Sequence, residues 1–436
     1  MDFFWQTPII LKVLLVFALI LFLMRRKYNL GLALLAGAIC LGVWCQMTPL
    51  MILRSFGVAL RLPKTLLISL VAALIMLLSR AMEQFGQMKR LLDVFQDVVK
   101  NEKLKLVIFP ALIGLLPMPG GAIFSAPMVE EFGKRHQLDA ESKSLINYWF
   151  RHVWETAWPL YPGFLLASTL AGVNPWLFAS RSCVLSFGSM LCGYWFFLRP
   201  IPLAGDVATT PTPRVDWGKL AHEIFPIVFV IMGAVGGSFA VAGLTRLWPA
   251  AAKIPPEIAL IGALLVSIFA VIRRNHAPLA HVRLMLVERP LLRMIFMIVA
   301  IFLFKQILED SRAVLELSKF LIAQQIPFVI VLIILPFLAG SLSGIAVGFV
   351  GTSFPVLISL FQTLHIDPAF LLPHLMLAYC AGFVGMMLSP LHVCLVFTHE
   401  YFHADVPTVY RRLGLPLLTL LLIGLAYFRV WVWTLT

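Results

Sequence analysis

The sequence predicts an all-α polytopic membrane protein of two inverted repeats, each with five crossings, a re-entrant hairpin and a broken helix. That makes about 10 spanning helices plus 2 hairpins. Three observations lead there. Of 436 residues, 61% are hydrophobic and 13% charged, with a mean hydropathy of +0.94; soluble domains carry about 25% charged residues. Apolar runs long enough to cross a bilayer recur along the chain. Two of them are interrupted at membrane depth by Pro and Gly, at 115–127 and 348–355, and Gly120/Gly348, Ser125/Ser353 and Pro127/Pro355 match at a constant offset of 228. Pro lacks an N–H and Gly tolerates conformations no other residue does. Backbone of this kind must be buried in protein or line a wet cavity, because lipid cannot satisfy bare N–H and C=O groups. Broken segments in matching positions of two halves point to a binding site between them.

Taken in order, spans fall near 8–24, 28–46 and 64–81, the first read as a retained helix because no small-residue cleavage site follows it. A polar amphipathic stretch, 85–103, belongs on the membrane surface. The first hairpin covers about 104–132, with arms before and after the Pro117–Gly121 break that are short for a crossing. The broken helix is about 143–172, interrupted at Trp158-Pro159, and a span at 175–198 closes the first repeat, 1–198. Residues 199–220, rich in Pro, Gly and Asp, read as a linker. The second repeat, 221–436, runs through spans at 221–243 and 254–272, a basic piece at 276–290, a span at 291–308 and a surface stretch at 309–325. Its hairpin is about 326–362, its broken helix about 373–398 with the break at Ser389-Pro390, and a last span lies near 414–434.

Charge placement fixes the expected orientation. With both termini outside, cytoplasmic loops hold 21 Lys and Arg and outer loops seven, as the positive-inside rule requires. The net charge of +13 is thereby explained without nucleic acid. Six cysteines sit singly in apolar segments with no paired spacing, so neither a disulfide framework nor a metal site is expected.

Helices that begin at membrane depth direct unpaired N–H groups and the positive dipole end inward, an anion-binding arrangement. The candidate substrate-binding residues are therefore Pro119, Gly120, Gly121 and Ser125 in the first hairpin and Ser341, Ser343, Gly344, Gly348, Thr352 and Ser353 in the second. Tyr161 and Ser389 join them at the two breaks, Ser389-Pro390 reading as a helix cap followed by Pro at the first helical position. The competing reading is that the small residues only let helices pack closely. Asn147, Arg151 and Glu155 recur every four residues on the helix expected to end at Trp158-Pro159, with His152 beside them; ionisable groups at this depth are candidates for function. Their matches at offset 231 are Ala378, Gly382 and Met386, so the charge belongs to one half. The expected role of Glu155 is to take up a proton or cation while Arg151 alternates between it and an anionic substrate; the alternative is an intrahelical Arg151–Glu155 pair. His152, Asn147 and His392 complete the coupling candidates, His392 being either a relay or a core imidazole.

Through Leu116-Pro117-Met118-Pro119-Gly120-Gly121, Arg151-His152-Val153-Trp154-Glu155 and Pro159-Leu160-Tyr161-Pro162, the chain resembles the ion-transporter superfamily of secondary carriers, which includes arsenite and gluconate permeases and divalent-anion:sodium symporters. Within it, the chain looks most like an uncharacterised prokaryotic integral membrane family. The resemblance implies inverted repeats, a scaffold and a transport domain, a homodimer, and the prokaryotic cytoplasmic (inner) membrane. The Ser-Asn-Thr hairpin motif of dicarboxylate symporters is absent; Phe124-Ser125-Ala126 and Gly351-Thr352-Ser353 stand in its place.

The expected function is ion-coupled secondary transport of a small organic or inorganic anion by elevator-like alternating access, with H+ or Na+ as coupling ion, no other cofactor, and the lipid bilayer as the surrounding partner. A passive anion channel or a lipid-headgroup carrier are the alternatives. An intramembrane enzyme ranks below them, since the chain has no paired intramembrane aspartates and no P-loop.

Overall fold

The structure, a computed structural model, describes residues 8–26, 28–99, 101–118, 120–201, 216–248, 254–255 and 257–436. Pro119 and most of the expected linker lie outside them. Among the described residues the regular structure is helical, with no strand. The first series is α1 (Ile9–Arg25), α2 (Leu30–Trp44), α3 (Pro49–Arg61), α4 (Pro63–Gln84), α5 (Gln87–Val98), α6 (Glu102–Ile113), α7 (Ala122–Arg135), α8 (Ala140–Arg151), α9 (Pro162–Ala171) and α10 (Pro175–Gly193), which runs into a π turn at Tyr194–Leu198. The second is α11 (Trp217–Leu247), α12 (Glu257–Arg274), α13 (Leu279–Leu286), α14 (Arg289–Asp310), α15 (Ala313–Ala323), α16 (Phe328–Ser343), α17 (Ala346–Thr363), α18 (Leu371–Met387), α19 (Val393–Phe402) and α20 (Val406–Leu435).

Among the described residues, six helices are long and apolar enough to cross a membrane: Pro63–Gln84, Trp217–Val241, Ala280–Asp310, Ala346–Thr363, Pro368–Met387 and Val406–Leu435. The expected ten is not reached on this measure, and length is one reason. The 15 residues of α2 rise only about 22 Å against a hydrocarbon core of about 30 Å. Conversely α17, expected as a short hairpin arm, has 18 residues and is 89% buried inside the protein. Residues 49–61, expected as outer loop, form the amphipathic helix α3, started by the Thr48 hydroxyl, which accepts the Met51 N–H, and by Pro49 at its first position.

Packing divides the helices into two groups. In one, α14 lies against α2, α3 and α4, and α12 packs on both α4 and α11. A buried polar clasp ties α5 to α11 and α12 there. Arg90 Nε donates to Glu223 at 3.0 Å, its Nη2 donates to Asn275 at 2.6 Å, and Gln87 donates to the Glu223 carbonyl at 3.0 Å. In the other group the halves exchange partners: α9 packs on α17 of the second hairpin, and α19 packs on α7 of the first. Each broken helix thus finishes on the other half's hairpin, which brings both tips and both breaks to one place.

The closest approach is between α16 and α18. A Cβ at Gly385 would stand 2.1 Å from the Phe337 carbonyl oxygen, and one at Gly340 would stand 2.2 Å from that of Gly382. Backbone rather than a yielding side chain fills the space, so Gly385→Ala is expected to destabilise by at least about 2 kcal/mol. Gly236→Ala, with nothing within 4 Å, should be neutral or slightly stabilising. Thermal unfolding of the two variants in detergent checks this; equal stabilities would mean α16 and α18 do not pack backbone to backbone.

Candidate functional site

Arm α6 carries Pro110 and ends at Ile113, after which the chain runs through an eight-residue tip, 114–121, before α7. A helix end leaves carbonyls without N–H partners, and at this depth each needs a donor. The break of the first half supplies them. Trp154 Nε1 donates to the Ala111 carbonyl and Trp158 Nε1 to that of Leu115, both at 2.9 Å. The Tyr161 hydroxyl donates to the Gly114 carbonyl at 2.7 Å. Arg151 Nη2 donates to the Leu116 and Met118 carbonyls at 3.0 and 3.1 Å, while its Nη1 donates to the Tyr161 oxygen at 2.8 Å. Arg151 is only 2% exposed and its Nε has no partner among the described residues. Gly121 makes room for it, since a Cβ there would lie 2.9 Å from Arg151 Nε and Nη2.

These bonds explain where the helix stops. The sequence places Arg151 and Glu155 on one helix ending at Trp158-Pro159. In the structure α8 ends at Arg151, and 152–161 passes through successive tight turns, with Glu155 N–H donating to His152 O and Ala157 N–H to Trp154 O. Glu155 therefore does not sit one helical turn from Arg151. No hydrogen bond or ion pair engages its carboxylate among the described residues; Arg151 is the charged group that acts on it.

The second half ends its hairpin arm differently. Gly344 adopts φ +64°, and its N–H returns to the Gly340 carbonyl at 2.9 Å, a left-handed glycine cap. Only Gly344 and Ile345 separate α16 from α17. Gly120 at the first tip has φ +74°, so the left-handed tip glycines are Gly120 and Gly344. Gly348, matched to Gly120 by sequence, lies inside α17, one helical turn beyond the tip. At the second break, Ser389–His392 is a tight turn with Pro390 as its second residue. His392 N–H donates to Ser389 O at 3.2 Å and Leu391 N–H to Ser389 Oγ at 3.2 Å. Helix α19 begins at Val393, with His392 in the cap position, so Ser389-Pro390 does not cap that helix.

Both tips and both breaks line one cavity of about 140 Å³. The first half contributes Pro117, Met118, Gly120, Arg151, His152, Glu155, Tyr161, Pro162 and Gly163. The second contributes Gly344 to Val347, Met386, His392, Val393 and Cys394, and Met294 enters from α14. The starts of α7, α9, α17 and α19 therefore meet there. His152 and His392, 3% and 6% exposed, face one another with Nε2 atoms 3.0 Å apart.

Of the residues expected from sequence, Gly120, Arg151, His152, Glu155, Tyr161, Gly344 and His392 line this cavity together. Gly121 stands directly behind Arg151. Ser125 and Asn147 are buried and brace α7 to α8 and α19: Ser125 Oγ donates to Asn147 Oδ1 at 2.6 Å, and Asn147 Nδ2 donates to the Ala122 carbonyl at 2.9 Å and Thr398 Oγ1 at 3.4 Å. Thr352 and Ser353 return their hydroxyls to their own helix, at Gly348 O (2.8 Å) and Phe349 O (2.5 Å). Ser341 does the same at Phe337 O, and Ser343 turns toward Gly340 O and Ile345 O. Ser389 holds its turn, Gly348 packs against Ser343, and Pro119 lies outside the described residues. Sequence reasoning missed Cys394, Met294 and Met386, which read there as ordinary apolar positions, and Met118, which stood there only as part of the Pro117–Gly121 break.

Tyr161→Phe and Trp158→Phe each strip one donor from a buried carbonyl of α6 or its tip. Each should lower stability by about 1–2 kcal/mol, whereas the exposed Lys319→Gln should not. Unfolding midpoints within error of the parent would mean that these side chains do not hold the hairpin tip in place.

Residues 9–430 match the family described as Protein of unknown function (DUF401), and the chain belongs to that family. Among solved structures it is similar to MtrF of Neisseria gonorrhoeae, described with a class of antimetabolite efflux pumps, at a TM-score of 0.55 and 14% identity over 87% of this chain and 82% of that one. At that identity the likeness is one of fold. No curated protein matches the chain.

Proposed function

We propose that this member of the DUF401 family is a secondary transporter that moves a small anionic solute by elevator-like alternating access, coupled to H+ or Na+. A single observation carries the reading: four helix starts and the buried, permanently charged Arg151 converge on one cavity, beside a Glu155 carboxylate that has no hydrogen-bond or ion-pair partner among the described residues. Helix starts and Arg together favour an anion. The unpaired carboxylate is the position for a coupling proton or cation. The fold shared with the efflux pump MtrF supports transport in general.

In this reading Arg151 is a fixed charge. Two of its three nitrogens are committed to the hairpin tip and Tyr161, so it does not swing between Glu155 and the solute as the sequence suggested. The solute binds to the tip through it. Glu155→Gln should then keep solute exchange but lose accumulation driven by a gradient, tested by counterflow against gradient-driven uptake in proteoliposomes. Accumulation by Glu155→Gln at the parent level would take Glu155 out of coupling, and gradient-insensitive flux in the parent itself would favour a channel.

The two series of elements are inverted repeats in this proposal, because five crossings each make the halves face opposite ways. Both termini lie outside. Single cysteines introduced in 134–142 should label from the cytoplasmic side only, and those in 363–370 from the outside only. Labelling of both loops from one side would end the inverted arrangement.

A further inference from the structure

The two histidines at the centre form a pair that neutral imidazoles satisfy poorly. His152 Nδ1 lies 2.7 Å from the Tyr148 carbonyl oxygen; a carbonyl only accepts, so that nitrogen carries the proton and Nε2 presents a lone pair to the cavity. His392 Nδ1 is buried and has no hydrogen-bond partner among the described residues. If His392 protonates Nδ1, two bare Nε2 lone pairs face each other across 3.0 Å. If it protonates Nε2 to reach His152, a bare Nδ1 is left buried without a donor. A cation shared by the pair removes the conflict.

A third donor stands beside them. The ligating atoms of His152, His392 and Cys394 all lie within 4.8 Å of one another. Metal–nitrogen and metal–sulfur bonds of about 2.0 and 2.3 Å place the ligands of a three- or four-coordinate ion about 3.3–4 Å apart. The trio brackets that range. The Tyr148 carbonyl on His152 Nδ1 is the outer bond that orients a metal-binding imidazole, and it is already made. Around the trio the cavity wall carries the thioether residues Met118, Met294 and Met386.

We propose that this cavity binds one soft monovalent metal ion, copper(I) in character, through His152, His392 and Cys394. Thiolate and thioether surroundings select such an ion over hard cations. Charge selects it over a divalent one. With Arg151 positive and Glu155 and the Cys394 thiolate negative, a monovalent ion leaves the site neutral and a divalent ion leaves it at +1, which a dry interior disfavours. Binding forms the metal–sulfur bond and releases one proton from the Cys394 thiol to solvent. The ion joins His152 of the first half to His392 and Cys394, 240 residues away and beyond, so no local spacing announces it. The site does not depend on the transport reading, because it fills in detergent without any gradient. In a working carrier, ion and solute exclude one another.

The test uses the full chain in detergent, with Ag+ as a redox-inert probe in chloride-free, thiol-free buffer. Calorimetry should find one strong site accompanied by release of one proton. Its affinity should fall by about 100-fold or more in Cys394→Ser and in His392→Gln, and stay unchanged in Cys192→Ser. Copper(I) bound at one equivalent to the unaltered chain should give an X-ray absorption first shell of two nitrogens and one sulfur, a result that needs no variant to fold. An all-sulfur or all-oxygen shell, absence of a strong Ag+ site, or a site untouched by folded Cys394→Ser would overturn the proposal.

Discussion

The carbonyls at the end of α6 are the constraint on which the centre of this protein depends. They terminate inside an apolar body, where an unpaired acceptor costs about 1–3 kcal/mol. Donors from Arg151, the last residue of α8, and from the ten-residue break that follows it meet those of Ala111, Gly114, Leu115, Leu116 and Met118. To place Trp154, Trp158 and Tyr161 on one side, the chain after Arg151 must leave the helical path. The break is therefore long, Glu155 is carried away from Arg151, and Arg151 is pulled under the tip. One requirement of backbone chemistry sets the positions of three residues that face the cavity.

The second half meets the same requirement with backbone alone, and the difference explains why charge sits in only one half. A two-residue turn with a left-handed glycine closes α16 on itself. Where the first half has Asn147, Arg151 and Glu155, the second has Ala378, Gly382 and Met386. Gly340 and Gly385 let α16 and α18 approach until backbone touches backbone, and a side chain at Gly382 would run into the Phe349 ring of α17, 2.4 Å from its Cβ. The two hairpin arms thus end in different ways, one on side-chain donors and one on a left-handed glycine.

Much of this was legible in the sequence. The all-helical architecture follows from apolar length, and Gly120, Gly344, Arg151 and His392, singled out by Pro and Gly punctuation and by charge at depth, line one cavity. Three features were not legible, each for a physical reason. The offset of 228 aligns Gly, Ser and Pro by identity, but a tip is defined by backbone angle, and Gly344 rather than Gly348 holds the left-handed turn. Ser125, Thr352 and Ser353 looked like ligands because a buried hydroxyl needs a partner; helical Thr and Ser find one in the carbonyl a turn earlier, which no composition reveals. The i,i+4 spacing of Arg151 and Glu155 signals a pair only if the helix continues, and its end is decided by carbonyls some 35 residues upstream.

What Arg151 holds also decides what it can do. A guanidinium on a free side chain can follow a solute; this one has Nη1 and Nη2 fixed to Tyr161 and to the tip carbonyls, with Nε facing Gly121 and without a partner among the described residues. Its charge moves only when the tip of the first hairpin moves. An anion drawn to it would therefore be bound to the hairpin itself, and so would any counter-charge on Glu155, which the same strand of turns positions. In the proposed transport cycle, coupling between occupant and conformation would need no relay of side chains, because the group that would attract the occupant is also a structural pin of the hairpin tip.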